Sequence, residues 1–323
     1  MDPARTETGR LEKTSSEFAP PVQLSGGLFL LSHAVPKMQV VTTVKEMQTW
    51  ADAVRREGHT IALVPTMGYF HEGHLELVRE GKRRCDALVV SVYVNPTQFG
   101  PAEDFSRYPR DFERDRQLAE NLGVDVIFAP TDTQMYPSGY QTYVVVEEVT
   151  QTLCGRARPD HFRGVTTVCT KLFNAVKPHV AIFGKKDFQQ YVTIVRMVKD
   201  LDLDLEIIPV ATIREADGLA MSSRNVYLKG RQRQAALSLY RSLQLAKALY
   251  EGGERRSAPI IAAVKQLIVA EPETQIDYVQ ICNTSTLRDV EVLDREAVIA
   301  LAVKVGTTRL IDNYVFGEPL GPS

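Results

Sequence analysis

From residue 60 onward, short apolar runs alternate with stretches of helical period. Residues 60–64, 87–94, 125–128, 143–146, 180–183 and 205–210 predict strands, and 73–84, 109–122, 165–176 and 187–199 predict helices. Near-continuous runs such as ALVVSVYV suit strands covered on both faces, which parallel sheets require. The fold class expected is therefore α/β, a Rossmann-like doubly wound parallel sheet. After about residue 212 the pattern changes to long helices over 231–251 and 258–270, split by EGGERRS, then strands over 276–282, 297–303 and 309–316. That run predicts a smaller C-terminal α+β domain. The expected layout is an arm over 1–37, a nucleotide- and substrate-binding domain over 38–211, a lid domain over 212–317 and a tail over 318–323. Val40, Val44, Met47 and Ala51 share one helical spacing and place a helix just after Met38.

Composition narrows the functional classes. Residues 1–37 mix Ser, Thr, Glu, Pro and Gly without period, which predicts disorder, with a regulatory or targeting arm as the alternative. Lys and Arg total 38 against 40 acidic residues, so the net charge of −2 supplies no global field for a polyanion or an anionic bilayer. Cysteines stand at 85, 154, 169 and 282 without C-x-x-C spacing, which argues against a zinc ribbon or a secreted disulfide framework and favours the cytoplasm. The apolar run at 297–303 is far shorter than the roughly 18 residues of a membrane helix.

The most informative stretch leaves the first strong strand: Pro65, Thr66, Met67, Gly68, Tyr69, Phe70, His71, Glu72, Gly73, His74. It places two histidines three apart at a helix start, where free N–H groups and a partial positive charge favour phosphate. Neutral imidazoles there donate hydrogen bonds without permanent charge, and Gly73 lets a nucleotide lie close to the backbone. Gly184, Lys185, Lys186 and Asp187 follow another strand and offer two cations, a cap or magnesium ligand, and Gln190 one turn on. Met221, Ser222, Ser223 and Arg224 form a polar loop suited to closing over a triphosphate. Asn95 and Gln98 flank Pro96 at the end of the 87–94 strand, where Gln98 would recognise a hydroxyl or carboxylate. Tyr108, His161, Arg163 and Lys171 are further candidates.

The segments VPTMG, HEGH, VYVNPTQF, EDFSRYPR, HFRGV, KLFN, FGKKDFQQ and DGLAMSSRN, in this order, closely resemble the pantothenate synthetase (pantoate–beta-alanine ligase) family over about residues 38–317. That family belongs to the nucleotidyltransferase-like group whose H-x-G-H signature is shared with class I aminoacyl-tRNA synthetases. The resemblance implies ATP-dependent condensation of pantoate with beta-alanine through a pantoyl-adenylate, with release of diphosphate and AMP, in a homodimer using Mg²⁺. It assigns ATP contacts to Met67 through His74, to Gly184 through Asp187 and to Met221 through Arg224. It further implies a proton-donor role for His74, a backbone contact from Ile213 to adenine, and pantoate contacts from Gln98 and Gln190, with Met67, Tyr108 and Arg163 beside them. Two positions depart from many relatives: Thr97 stands where Met or Gly is common, and Lys185 where Glu is common.

Three other readings compete. A nucleotidyltransferase that stops at an NMP-linked product needs extra cations for a second phosphate, where this chain offers the amides of Gln98 and Gln190. An RNA-binding synthetase fragment needs a basic appended region, and the C-terminal half has only Arg255-Arg256. A non-catalytic interaction protein leaves three intact nucleotide segments without a use.

Overall fold

In the computed structural model, residues 38–101 and 103–321 are described, so the expectation of a disordered arm over 1–37 lies outside them. Strands β1 (Gln39–Val41), β2 (Ile61–Thr66), β3 (Ala87–Val92), β4 (Val126–Phe128), β5 (Val180–Gly184) and β6 (Glu206–Val210) form one sheet in the order β1-β4-β3-β2-β5-β6. Every pairing in it is parallel. Helices α1 (Val44–Arg56), α2 (Glu72–Arg84), α3 (Phe112–Asn121), the short α4 (Asp132–Met135) and α5 (Leu153–Ala157), α6 (His161–Val176) and α7 (Phe188–Asp200) connect the strands. Apolar side chains fill both faces: Leu63, Val89, Phe128 and Phe173 lie on one, Val64, Val90, Ile127 and Ile182 on the other. Burial on both sides is what makes the β2 and β3 sequences read as unbroken apolar runs.

The second layer is a three-stranded antiparallel sheet, β7 (Thr274–Asn283), β8 (Ala297–Val305) and β9 (Thr308–Val315), packed under α8 (Arg231–Glu251) and α9 (Ser257–Val269). It has its own core, including Leu239, Leu243, Ile260, Val264, Ile299 and Leu301. Phe188 and Val192 of α7 meet Cys282 and Val298 in a smaller cluster, so the two sheets share packing within one compact unit, Lys37–Ser323.

Two expectations change. Val40 belongs to edge strand β1, paired with Ile127, and is not on the helix of Val44, Met47 and Ala51. Thr43 begins that helix: its hydroxyl accepts the Glu46 amide while Glu46 reaches back, a T-x-x-E capping signal legible in the chain. Residues 143–146 form no strand and join no sheet among the described residues. Instead the Val144 amide donates to Thr167 Oγ1 at 3.0 Å and Thr166 Oγ1 donates to the Val144 carbonyl at 2.6 Å, so α6 takes the place of a partner strand.

Candidate active site

From β2 the chain steps through β3 to β4 on one side, then returns to β5 on the other, so the sheet's switch point lies between β2 and β5. A crevice opens outside the carboxyl ends of parallel strands at such a point. A cavity of about 1220 Å³ occupies it, bounded by the turn after β2, the turn after β3, the turn after β5 and the loop 211–224.

His71 is the residue before the first turn of α2, in extended conformation at φ −132° and ψ 172°. Its ring stacks on that of His74 at 4.0 Å between centroids. The His71 amide donates to His74 Nδ1 at 3.4 Å, which leaves Nε2 of His74 as the protonated nitrogen. A Cβ on Gly73 would stand 2.9 Å from His71 Cε1, so only glycine admits this ring position. Burial, then the Lys186 charge, lowers the His71 pKa to about 4, against a smaller upward pull from Asp187. Burial, His71 and Lys186 lower His74 well below the ordinary range. Both rings are therefore neutral donors at neutral pH, and His71 Nδ1 is buried without a protein partner.

Asp115, on α3, holds the turn that delivers these histidines. Its carboxylate accepts the Tyr69 amide at 2.6 Å and the Phe70 amide at 2.7 Å, while Tyr69 takes a left-handed φ of 53°. Gly68 shapes the same turn with φ 79° and its amide on Thr66 Oγ1 at 3.1 Å. No motif singles out Asp115; its signal is a lone acid placed in the buried stripe of an otherwise polar helix.

After β3, Pro96–Gln98 forms one 3₁₀ turn. Gln98 is buried, its amide nitrogen donating to Met67 Sδ at 3.2 Å and its Oε1 accepting from Asn95 Nδ2 at 3.1 Å. Asn95 also donates to the Gly164 carbonyl at 3.1 Å. Thr97 donates to Asn95 Oδ1 at 2.9 Å, so the departure at this position serves that network and faces away from any ligand. Val165, Val168, Cys169 and Leu172 of α6 give the cavity an apolar end. Burial pushes the Cys169 thiol up to about 12, which removes it as a nucleophile.

After β5, Lys186, Asp187 and Gln190 line the cavity. Asn313 on β9 donates to the Lys185 and Lys186 carbonyls, at 2.9 Å each, and so sets this turn from the second sheet. Gln189 is spent on structure, accepting the Cys154 amide and donating to the Val149 and Thr152 carbonyls. The loop 211–224 closes the opposite wall: Ile213 accepts the Met221 amide at 2.9 Å, and Ser222 Oγ accepts the Arg224 amide at 3.3 Å. Arg224 makes a two-pronged pair with Asp104, and Tyr108 donates to Ser223 Oγ at 3.4 Å.

Thus Pro65, Thr66, Met67, His71, Gly73, His74, Gln98, Tyr108, Gly184, Lys186, Asp187, Gln190, Ile213, Met221, Ser222, Ser223 and Arg224 share one cavity wall. The other expected residues do not. Lys185 lies off this wall and pairs with Glu318 at 2.8 Å. Arg163 lies over the Tyr143 ring at 4.6 Å and pairs with Asp160. Lys171 sits over Tyr140, and Gly68 stands behind the turn. His161 lies behind Gln98, in an adjoining cleft of about 870 Å³ that also holds Arg158.

A family model described as Pantoate-beta-alanine ligase matches residues 39–315. The chain belongs to the pantoate-beta-alanine ligase family. Ligation of pantoate to beta-alanine is the activity that membership carries. A pantothenate synthetase of Syntrophus aciditrophicus is 62% identical, over 88% of this chain and 99% of the relative. A crystal structure of the Thermus thermophilus family member is 44% identical with a TM-score of 0.82, covering 88% of this chain and 100% of that one. The Francisella tularensis pantoate-beta-alanine ligase, solved in complex with beta-gamma ATP and beta-alanine, is 30% identical with a TM-score of 0.74 over the same shares.

Proposed function

We propose that this cavity carries out the family ligation in two half-reactions. Pantoate's carboxylate attacks the α-phosphorus of ATP, the bond to the β-phosphate breaks, and diphosphate leaves. The amine of beta-alanine then attacks the acyl carbon of the pantoyl-adenylate, the bond to AMP breaks, and the nitrogen gives up a proton. The observation that carries the reading is the meeting of four chain segments in one cavity, whose lining includes the two histidines, Lys186, Arg224 and the amides of Gln98 and Gln190.

The helix start at His71–His74 faces the phosphates. A buried, unpartnered His71 Nδ1 and a Gly73 that tolerates no Cβ fit a ligand packed against them. Because both imidazoles are neutral in the ligand-free protein, they can stabilise charge building on the α-phosphate by hydrogen bonding, the role we give to His74. Lys186 and Arg224 supply the fixed charge for departing diphosphate. Gln98 and Gln190 hold pantoate, an amide pair able to donate to a carboxylate and accept from hydroxyls, while the α6 apolar end takes the dimethyl carbon. Residues 212–317 serve as the lid that keeps water from the adenylate.

Magnesium fits here only as a partner of the triphosphate. Among the described residues no three His, Cys, Asp or Glu gather to hold a metal, and Asp187 is the carboxylate on the cavity wall. Mg²⁺ coordinated by phosphates and water needs no more than one such group, and when bound it supplies charge neutralisation for diphosphate departure.

Pantoate-dependent exchange of diphosphate into ATP tests the first half-reaction. Gln98→Ala and Gln190→Ala should each weaken pantoate use roughly ten- to hundredfold and leave ATP binding nearly unchanged. Loss of ATP affinity with pantoate dependence intact would reassign both glutamines.

We also infer a homodimer and a cytoplasmic location. Four free thiols favour a reducing compartment. The dimer is supported by segment 143–146: Val144 bonds to α6 while the Tyr143 and Val145 side chains are exposed, an edge that a second copy can pair with. Val145→Pro removes one edge donor and should yield monomers by sedimentation. A dimer that survives it does not use this edge.

A further inference from the structure

The 3₁₀ turn that carries Gln98 is held from behind by two side chains of the α5–α6 region. His161 Nδ1 lies 2.9 Å from the Gln98 carbonyl, and Arg158 Nη2 donates to the same oxygen at 3.1 Å. A carbonyl only accepts, so His161 carries its proton on Nδ1. Burial, then Arg158, lowers its pKa to about 4, against an upward pull from the Gln98 carbonyl, so the ring is neutral at working pH. Arg158 is itself fixed, its Nε donating to Glu103 Oε1 at 2.6 Å and a second prong reaching the other carboxylate oxygen. Gly164, one turn along α6, closes the clamp, since a Cβ there would stand 2.4 Å from the Thr97 carbonyl and 2.7 Å from the Gln98 amide nitrogen.

We propose that Arg158 and His161 are positioning residues, which hold the Gln98 backbone so that its side-chain amide is pre-aimed at the substrate. Two donors converging on one carbonyl fix both the tilt of the peptide and the exit direction of the Gln98 side chain. The amide then makes its substrate bonds without first being ordered, which is where preorganisation increases affinity. This inference rests on the reading that Gln98 binds pantoate.

The test is a mutant cycle on the full-length enzyme, reading KM for pantoate, KM for ATP, kcat and thermal midpoint. His161→Ala should raise the pantoate KM about tenfold with the ATP KM unchanged. His161→Asn keeps a donor near the Nδ1 position and should restore most of it, whereas His161→Gln, which mimics Nε2, should not. In the Gln98→Ala background, His161→Ala should add less than a twofold further change. Full additivity in that background, or equal rescue by Gln and Asn, overturns the positioning role. A Gln98→Ala enzyme with unchanged pantoate KM instead overturns the pantoate assignment itself. If His161→Ala is too unstable to assay, Arg158→Lys replaces it and should show the same selective rise in pantoate KM.

Discussion

Arg224 and Asp104 face each other across 120 residues of chain, Nε to Oδ2 and Nη2 to Oδ1, both at 2.9 Å. The guanidinium also lies 5.5 Å over the Tyr108 ring, so it is held between a carboxylate and an aromatic face. Burial acts to raise the Asp104 pKa, and the Arg224 hydrogen bond and charge, with a backbone bond and the Arg107 charge, together hold the group below its usual range. Asp104→Asn should slow adenylate formation about tenfold by leaving Arg224 without its bidentate anchor, with little change in pantoate KM. Single-turnover diphosphate release measures this; an unchanged rate would show that Arg224 finds its working position unaided.

Asp115 is the second anchor. Asp115→Ala leaves the buried Tyr69 and Phe70 amides unpaired and should cost about 2–4 kcal/mol of unfolding free energy. Because those amides set where α2 begins, ATP KM should rise as well. Urea unfolding and ATP titration report the two effects separately, and a variant that loses stability with ATP KM intact would detach the turn from the histidines.

The pair of Arg214 and Asp312 is nearly fully buried, with contacts of 2.7 and 3.0 Å, and ties the loop 211–224 to β9. Asp312→Ala strands a buried guanidinium and should destabilise by about 3–5 kcal/mol. Arg214→Met combined with Asp312→Leu should recover much of that loss. Recovery of stability without recovery of activity would mark the pair as a positioning device for the loop.

Acid should destabilise the fold through its buried histidines. His71 and His161 are held neutral down to about pH 4, whereas unfolded histidine binds a proton near 6.5. Between those values the unfolded state binds more protons, so unfolding free energy falls as pH falls, by about 1.4 kcal/mol per pH unit for each histidine. His161→Asn should flatten the slope between pH 6.5 and 4.5 by about one proton. An unchanged slope would mean that His161 is protonated in the folded protein.

Much of this was written locally. The strands of the parallel sheet read as apolar runs because both their faces are covered, and α1 and α2 start where a capping threonine and the H-x-G-H turn say they should. Residues such as His71, Gly73 and His74 were legible because their chemistry depends on one turn and one helix end, all within four residues. Which of two adjacent side chains lines the cavity was not. Lys186 lines the cavity while Lys185 is held by Glu318, a partner 133 residues later that only folding brings near. Gln190 and not Gln189 lines the wall because the Cys154 segment consumes its neighbour's amide. The resemblance sets Arg163 beside pantoate, whereas its guanidinium lies on Tyr143. Asp115, Arg158 and Asn313 carry no motif, and Asp104 sits in EDFSRYPR without its role being legible there, since each acts on backbone or on a side chain that only folding brings near. The 143–146 segment has strand chemistry without a strand beside it in the chain, and pairing is a property of neighbours, which periodicity along one segment does not encode.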